Sequence, residues 1–165
     1  MTTANSETDK GHYLVVDIGG MNSRFAYVTP ESGSPLPMAK YRVADFASFT
    51  DVLVHLTADW RAQGLPASGP SQTCLAVAAP PHLNTISFTN SPWRFDRALL
   101  SEHFGISGIE IINDFAAIAR ALPALTANDV EQIGVGESKS QKPMVALGPG
   151  TGTGCLLYTS PSPRD

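Results

Sequence analysis

The sequence predicts an α/β fold in which short strands alternate with amphipathic helices. Apolar runs bounded by glycine or proline recur along the chain and are typical of buried strands. Between these runs, apolar residues at steps of three and four indicate helices. Two glycine-rich loops each follow an apolar run, one near either end of the chain. Alternation of this kind predicts strands covered by helices.

The N-terminal elements are predicted to form a β-hairpin. Residues 13–18 are apolar and partly β-branched, which favours a strand. Residues 22–28 are predicted to pair back on that strand. Gly19 and Gly20 lie in the connection, where such turns are expected to need positive φ. A shorter strand is expected at 38–43.

The middle of the chain is predicted to continue the alternation. Residues 45–62 form an expected amphipathic helix, because apolar side chains recur at helical spacing. The same criteria predict, in order, a strand at 73–79, a short strand at 85–89, a helix at 95–104, a strand at 109–112, a helix at 115–122 and a strand at 144–147.

Composition excludes several classes of function. The chain has 165 residues, 42% of them apolar, and a net charge of −4 with scattered basic residues. We therefore expect one domain, or one domain and part of another, without a nucleic-acid partner. The sequence has no run long enough for a membrane span and no secretory signal, so a cytoplasmic protein is expected. Two distant cysteines and four isolated histidines indicate neither disulfide scaffold nor metal cage.

Two glycine-rich loops and a carboxylate support a hypothesis about chemistry. Asp17 precedes the first loop, and residues 148–154 form the second. Glycine lacks a Cβ, so backbone N–H groups in such loops can approach an anion closely. Asn113 and Asp114 follow the strand at 109–112. The combination predicts a polyphosphate site beside a carboxylate.

Each motif also has a purely structural interpretation. Gly19 and Gly20 can serve only a hairpin turn. Asp114 can be a helix N-cap, since helix-forming residues follow it. Asn113 can then be an ordinary turn residue. The loop at 148–154 can be a flexible connection. All of these interpretations must hold together for the site to be absent.

Four segments, in order, resemble motifs of bacterial glucokinases. Residues 17–26 resemble the first phosphate motif, D-x-G-G-T-N-x-R, and 89–93 resemble a T-N-x-x-W segment. Residues 111–117 resemble the sugar-binding and catalytic stretch, and 147–152 the second phosphate loop. The resemblance covers roughly residues 13–154. It implies the actin-like ATPase (ribonuclease H-like) fold, with a small N-terminal α/β domain and the start of a larger one, closing over a cleft.

The resemblance also implies domain boundaries. A flexible tail is expected at 1–11, the small domain at 12–115 and the start of the large domain at 116–154. Residues 155–165 match one translated frame of a transposase-based sequencing-library adapter and continue no α/β pattern. We expect that tail to be non-native and the natural protein to be longer.

The activity implied by the resemblance is phosphorylation of glucose at its 6-hydroxyl by ATP with Mg²⁺, giving glucose 6-phosphate. Asp17 would hold Mg²⁺ through water. The residues implied to cradle the phosphate chain are Gly19, Gly20, Asn22, Gly148, Gly150, Thr151 and Gly152. Asn113 and Asp114 would bind sugar hydroxyls, Asp114 also as the catalytic base, and Asn90 is a further candidate on the sugar side.

One departure and two alternatives accompany the resemblance. Met21 stands where the family usually has Thr, so a hydroxyl near the phosphates is missing. A sugar-sensing regulator on the same fold is one alternative, although only a short polar segment precedes Tyr13, where such regulators usually carry a helix-turn-helix. A plain nucleotide-binding module is the other. The resemblance also implies further sugar and adenosine contacts downstream of the second phosphate loop. The chain alone is therefore expected to be inactive. A homodimer is possible for the full-length protein.

Overall fold

In the computed structural model, a five-stranded mixed sheet forms the centre of the molecule. The structure describes residues 11–29, 31–88, 91–105, 108–137, 139, 142–149 and 153–158. In chain order the elements are β1 (Tyr13–Ile18), β2 (Asn22–Val28), β3 (Leu36–Arg42), α1 (Phe49–Ala62), β4 (Gln72–Val77), β5 (Thr85–Ser87), β6 (Arg94–Asp96), α2 (Arg97–Phe104), β7 (Gly108–Asn113), α3 (Asp114–Ala121), β8 (Met144–Pro149) and β9 (Thr153–Tyr158).

The order of strands in this sheet decides which loops lie together. The order is β3-β2-β1-β4-β7. Strand β1 pairs antiparallel with β2 but parallel with β4, and β4 pairs parallel with β7. The register aligns Ile18, Val77 and Asn113 across the three parallel strands. The carboxyl ends of β1, β4 and β7 therefore lie at one edge of the sheet.

The hydrophobic core lies between one face of the sheet and α1. Alternate residues of β1 and β4 point into it, as expected for strands with one face on a core. The strands contribute Leu14, Val16, Ile18, Leu75 and Val77, and α1 contributes Phe49, Val52, Leu53, Leu56 and Trp60. Trp60 also donates a hydrogen bond from Nε1 to the carbonyl of Pro66 at 2.8 Å. This packing fixes β1, and with it the turn that follows β1.

The start of α1 differs from the prediction, which placed it at residue 45. The helix begins at Phe49 because Ser48 is its N-cap. Ser48 Oγ accepts from the Asp51 N–H at 3.2 Å, and Asp51 Oδ2 accepts from the Ser48 N–H at 2.9 Å. This reciprocal capping box satisfies two N–H groups and sets the first turn. Residues 43–45 form a separate 3₁₀ turn.

Other boundaries shift by a few residues. Strand β3 begins at Leu36, not at residue 38. The predicted helix at 95–104 begins at Arg97, because Arg94–Asp96 pairs with β5 as a strand. The short strand predicted at 85–89 is Thr85–Ser87. No helix in the described part of the chain is long and apolar enough to cross a membrane.

A second hairpin, β8–β9, corrects the expectation that the α/β pattern ends at Gly154. Strand β9 pairs antiparallel with β8, with Met144 opposite Tyr158 and Pro149 opposite Thr153. The hairpin lies against α3. Residues 155–158 read Cys-Leu-Leu-Tyr. Apolar and aromatic residues favour strands whatever their origin, so local propensity extends the strand past the predicted end.

Candidate active site

The turn between β1 and β2 is closed by backbone hydrogen bonds. The Gly19 N–H donates to the Asn22 carbonyl at 3.0 Å, and the Val43 N–H donates to the Met21 carbonyl at 3.0 Å. Within the described part of the chain, the N–H groups of Gly20 and Met21 donate no hydrogen bond. Two backbone donors at the end of β1 are therefore available to a ligand.

Gly19 and Gly20 do not have the backbone conformation that the sequence predicts. Neither is among the described glycines with positive φ, which are Gly33, Gly64, Gly69, Gly105 and Gly134. A Cβ at Gly19 would meet only the Asn22 carbonyl oxygen, at 3.5 Å, an ordinary contact. The expectation of positive φ is wrong, because the three-residue connection closes through the hydrogen bond from the Gly19 N–H to the Asn22 carbonyl without positive φ at either glycine. The fold therefore does not itself require glycine at 19.

Asp17 lies on the face of β1 that points away from the core. Its Oδ2 accepts from Arg24 Nη1 at 2.8 Å, and the two residues are opposite each other in the hairpin. The side chains are 46% and 58% exposed, so the pair contributes only about 0–1 kcal/mol to stability. In this pair, one oxygen of the carboxylate is directed toward Arg24 on β2. The second oxygen, Oδ1, has no hydrogen bond within the described residues.

The predicted site residues at the end of β7 begin α3. Asn113 is the N-cap, because its Oδ1 accepts from the N–H groups of Phe115 at 3.0 Å and Ala116 at 3.3 Å. The structural interpretation that made Asp114 the cap is therefore wrong. Asp114 is the first helical residue, and its Oδ1 accepts from the Phe115 N–H at 2.9 Å. In the described part, Asp114 Oδ2 and Asn113 Nδ2 make no hydrogen bond.

The sheet brings these groups to the same edge. The ends of β1 and β7 are separated by β4 alone, so they lie about 10 Å apart, twice the usual strand spacing of about 4.8 Å. Asp17 with the turn, and Asn113 with Asp114, thus border one region. In the described residues, no group of three or more His, Cys, Asp or Glu could hold a metal ion by protein ligands alone.

Gly148 has a packing reason to be glycine. A Cβ there would lie 2.9 Å from Cζ and 3.1 Å from Cε1 of Phe115. The ring of Phe115 thus fits against the backbone of β8 at the point where α3 begins. Its predicted phosphate role stays a prediction. The predicted site residues Asn90, Gly150, Thr151 and Gly152 lie outside the described residues.

Gly148→Ala is expected to destabilise the contact between β8 and α3. The added methyl must displace the end of the half-buried Phe115 ring, so we expect a loss of stability near the lower end of the about 1–3 kcal/mol that is typical of overpacking. Urea unfolding of the 165-residue chain, followed by circular dichroism, measures the loss. Gly136→Ala is the matched control, because a Cβ at Gly136 meets nothing within 4 Å. Equal stability of the two variants would show that Phe115 does not restrict position 148.

A cavity of about 310 Å³ adjoins the turn after β1. Its lining residues are Gly20, Met21, Asn22, Arg42, Val43, Ala44 and Pro92. Arg42 and the pairing of Arg24 with Asp17 are features of the site that the sequence motifs do not predict. Arg24 lies within the motif at 17–26 and could have been considered there. No local sequence pattern marks Arg42 as a site residue, because only the pairing of β2 with β3 brings it beside the turn.

The sequence of the chain is similar to those of known glucokinases. A family model described as Glucokinase matches residues 14–163, so the match continues past Gly154, where the sequence analysis ended the resemblance. The chain is 35% identical to a glucokinase of Colwellia psychrerythraea over 150 residues, which cover 91% of this chain and 44% of that protein. It is 33% identical to a glucokinase of Yersinia pestis over 141 residues, covering 86% of this chain and 42% of the relative. The chain thus spans less than half the length of these relatives.

Solved structures agree with the sequence matches. The structure is similar to a glucokinase from an Antarctic psychrotroph, with a TM-score of 0.69, 33% identity, and coverage of 90% of this chain and 47% of the other. It is also similar to a glucokinase from Balamuthia mandrillaris solved with glucose, with a TM-score of 0.64 and 20% identity, covering 95% of this chain and 46% of the other. The second likeness concerns the fold alone. Together they confirm the predicted actin-like ATPase fold class.

Proposed function

The chain belongs to the glucokinase family, and on this premise we propose that a protein of the full family length carrying it transfers the γ-phosphoryl group of ATP to the 6-hydroxyl of glucose. The observation that supports this proposal is the shared sheet edge. Parallel pairing of β1, β4 and β7 sets a turn with free N–H groups beside two carboxylates, Asp17 and Asp114. Phosphoryl transfer needs mainly positioning and charge neutralisation.

On the nucleotide side, the turn after β1 would bind phosphate oxygens. Gly20 and Met21 have N–H groups without a hydrogen-bond partner in the described structure, and the fold does not require glycine at 19. We propose that the absence of a Cβ at Gly19 and Gly20 lets a phosphate oxygen approach the backbone closely. We assign Asn22 to the same turn. On the opposite side we propose the second loop, with Gly148, Gly150, Thr151 and Gly152.

Asp17 fits the metal that such a reaction uses. Mg²⁺ takes oxygen ligands, keeps several waters and is commonly held by one or two carboxylates together with substrate phosphates. The carboxylate of Asp17 is oriented by Arg24 through one oxygen and keeps the other without a protein partner. We propose that this oxygen holds Mg²⁺ through water. When bound, Mg²⁺ supplies charge neutralisation on the phosphate chain.

On the sugar side, Asp114 would act as the base. The hydrogen bond from the Phe115 N–H holds one carboxylate oxygen, so the free oxygen has a defined position from which to take the 6-hydroxyl proton. Asn113 would donate from Nδ2 to a sugar hydroxyl while its Oδ1 caps α3. Asn90 is proposed as a further sugar contact.

A coupled assay tests this function in a full-length family protein that carries this chain as its N-terminal half. ADP release is measured with Mg²⁺ and ATP, with and without glucose, mannose or glucosamine. Glucose-dependent ADP release supports the kinase. Sugar-independent release would instead favour a plain nucleotide-binding module. Binding of ATP and glucose without turnover would favour a sugar-sensing regulator. A cytoplasmic location, expected from the composition of the sequence, and a homodimer at full length are further proposals.

Met21→Thr is expected to tighten nucleotide binding modestly. Met21 is 72% exposed at the tip of the turn, and its carbonyl already bonds Val43, so the substitution leaves the backbone in place. A hydroxyl that bonds a charged phosphate contributes about 1.5–3 kcal/mol at best. Isothermal titration with MgATP on the full-length protein measures the change. Met21→Val, which has the same branching without a hydroxyl, is the control; equal affinity of the two variants would mean that the backbone alone binds the phosphate here.

A further inference from the structure

Arg42 is a cationic residue beside the turn after β1. It is the last residue of β3 and lies opposite Asn22, the first residue of β2. It lines the same cavity of about 310 Å³ as Gly20 and Met21, whose N–H groups have no partner in the described structure. An exposed arginine and two free backbone donors therefore border one space.

Arg42 is the one charged residue among the described residues that line this cavity. Arg42 makes no ion pair and no side-chain hydrogen bond within the described residues. Two positions along β2 and β3, on the same face of the sheet, Arg24 lies opposite Lys40, and both are exposed. The acid opposite Arg24 is Asp17, which Arg24 already pairs. Asp45 lies three residues after Arg42 and does not line the cavity. Arg42 is thus a cation beside the turn whose charge no acidic side chain of the described residues neutralises in an ion pair.

We propose that Arg42 is a phosphate-binding residue that holds the phosphate chain of the nucleotide against the turn from the β3 side. A guanidinium presents paired N–H donors whose geometry matches phosphate oxygens, and its charge strengthens each hydrogen bond. The inference rests on the proposed phosphate role of the turn and adds a side chain to it. Because the ligand chemistry is a chain of phosphates, inorganic tripolyphosphate would occupy the same place.

Amide chemical shifts of the ¹⁵N-labelled 165-residue chain test the proposal. The chain is titrated separately with MgATP and with inorganic tripolyphosphate, and the Gly20 and Met21 amides report binding at the turn. Arg42→Gln is expected to lower the affinity for both ligands about tenfold or more, which is the effect of losing a charge-assisted hydrogen bond. Arg42→Lys should restore part of the affinity. Arg61→Gln, an exposed arginine in the last turn of α1, has the same charge change and should bind as the parent does.

The possible results separate this inference from the proposed function. Turn amides that shift with equal affinity in the parent and Arg42→Gln would overturn the role of Arg42 and leave the turn as a phosphate site. Turn amides that shift with neither ligand would overturn both. Equal weakening by Arg61→Gln would show a general charge effect and overturn the assignment. If Arg42→Gln lowered the affinity for tripolyphosphate but not for MgATP, the assignment of Arg42 to nucleotide binding would be overturned.

Discussion

The 165-residue chain by itself is expected to show no glucose phosphorylation. It spans 44% of the Colwellia psychrerythraea relative, and the described structure places Asp17 and Asp114 at one edge of a single sheet. The family resemblance implies further sugar and adenosine contacts after the second loop. Without them a substrate hydroxyl is neither oriented nor desolvated, and the loss of positioning alone corresponds to about 7–11 kcal/mol of the barrier.

A coupled assay with Mg²⁺, ATP and glucose measures this, with a full-length family protein carrying the chain as the positive control. Turnover near the enzyme median of about 10 s⁻¹ would contradict the expectation. Size-exclusion chromatography accompanies the assay, because Val145 and Leu147 on β8 are 58% and 69% exposed and Ile118 on α3 is 48% exposed. Exposed apolar faces of this kind favour self-association, so the assay uses the monomeric fraction.

Asp114→Asn in the full-length protein is expected to lower kcat by about 10²–10⁴, the range for loss of a general base. The amide oxygen of Asn can still accept from the Phe115 N–H, and Asn113 still caps α3, so the helix start is preserved. The substitution removes the proton acceptor alone. ATP affinity should change little, because Asp114 is assigned to the sugar side.

Steady-state kinetics and an MgATP titration measure the two quantities separately. Asp45→Asn is the matched control, since Asp45 is an exposed carboxylate with no hydrogen bond in the described part of the chain. We also expect Asp114→Ala to lower kcat by orders of magnitude. If Asp114→Asn retained more than about a tenth of the parent kcat, Asp114 would not be the catalytic base and its role would be to begin α3.

Local patterns predicted most elements but not all of their ends. Strands β1 and β2 match the predicted ranges because burial on one face gives them a short-range pattern. For α1 the helical spacing of Phe46 extended the prediction too far. The helix begins at Phe49 because Ser48 and Asp51 bond each other, and in this case the cap overrides the apolar periodicity. Strand β9 extends past the predicted end of the α/β pattern because its apolar and aromatic residues favour a strand.

Local sequence patterns place the candidate site residues along the chain: Asp17 lies before a glycine turn, and Asn113 and Asp114 follow a strand. These are local features, since each depends on neighbours within a few residues. Only the tertiary structure decided that the two segments share one sheet edge, because parallel pairing through β4 depends on contacts distant in sequence. It also decided that Arg42 borders the turn and that the Phe115 ring lies against the backbone of Gly148. Those neighbours follow from strand register and packing, which no local pattern specifies.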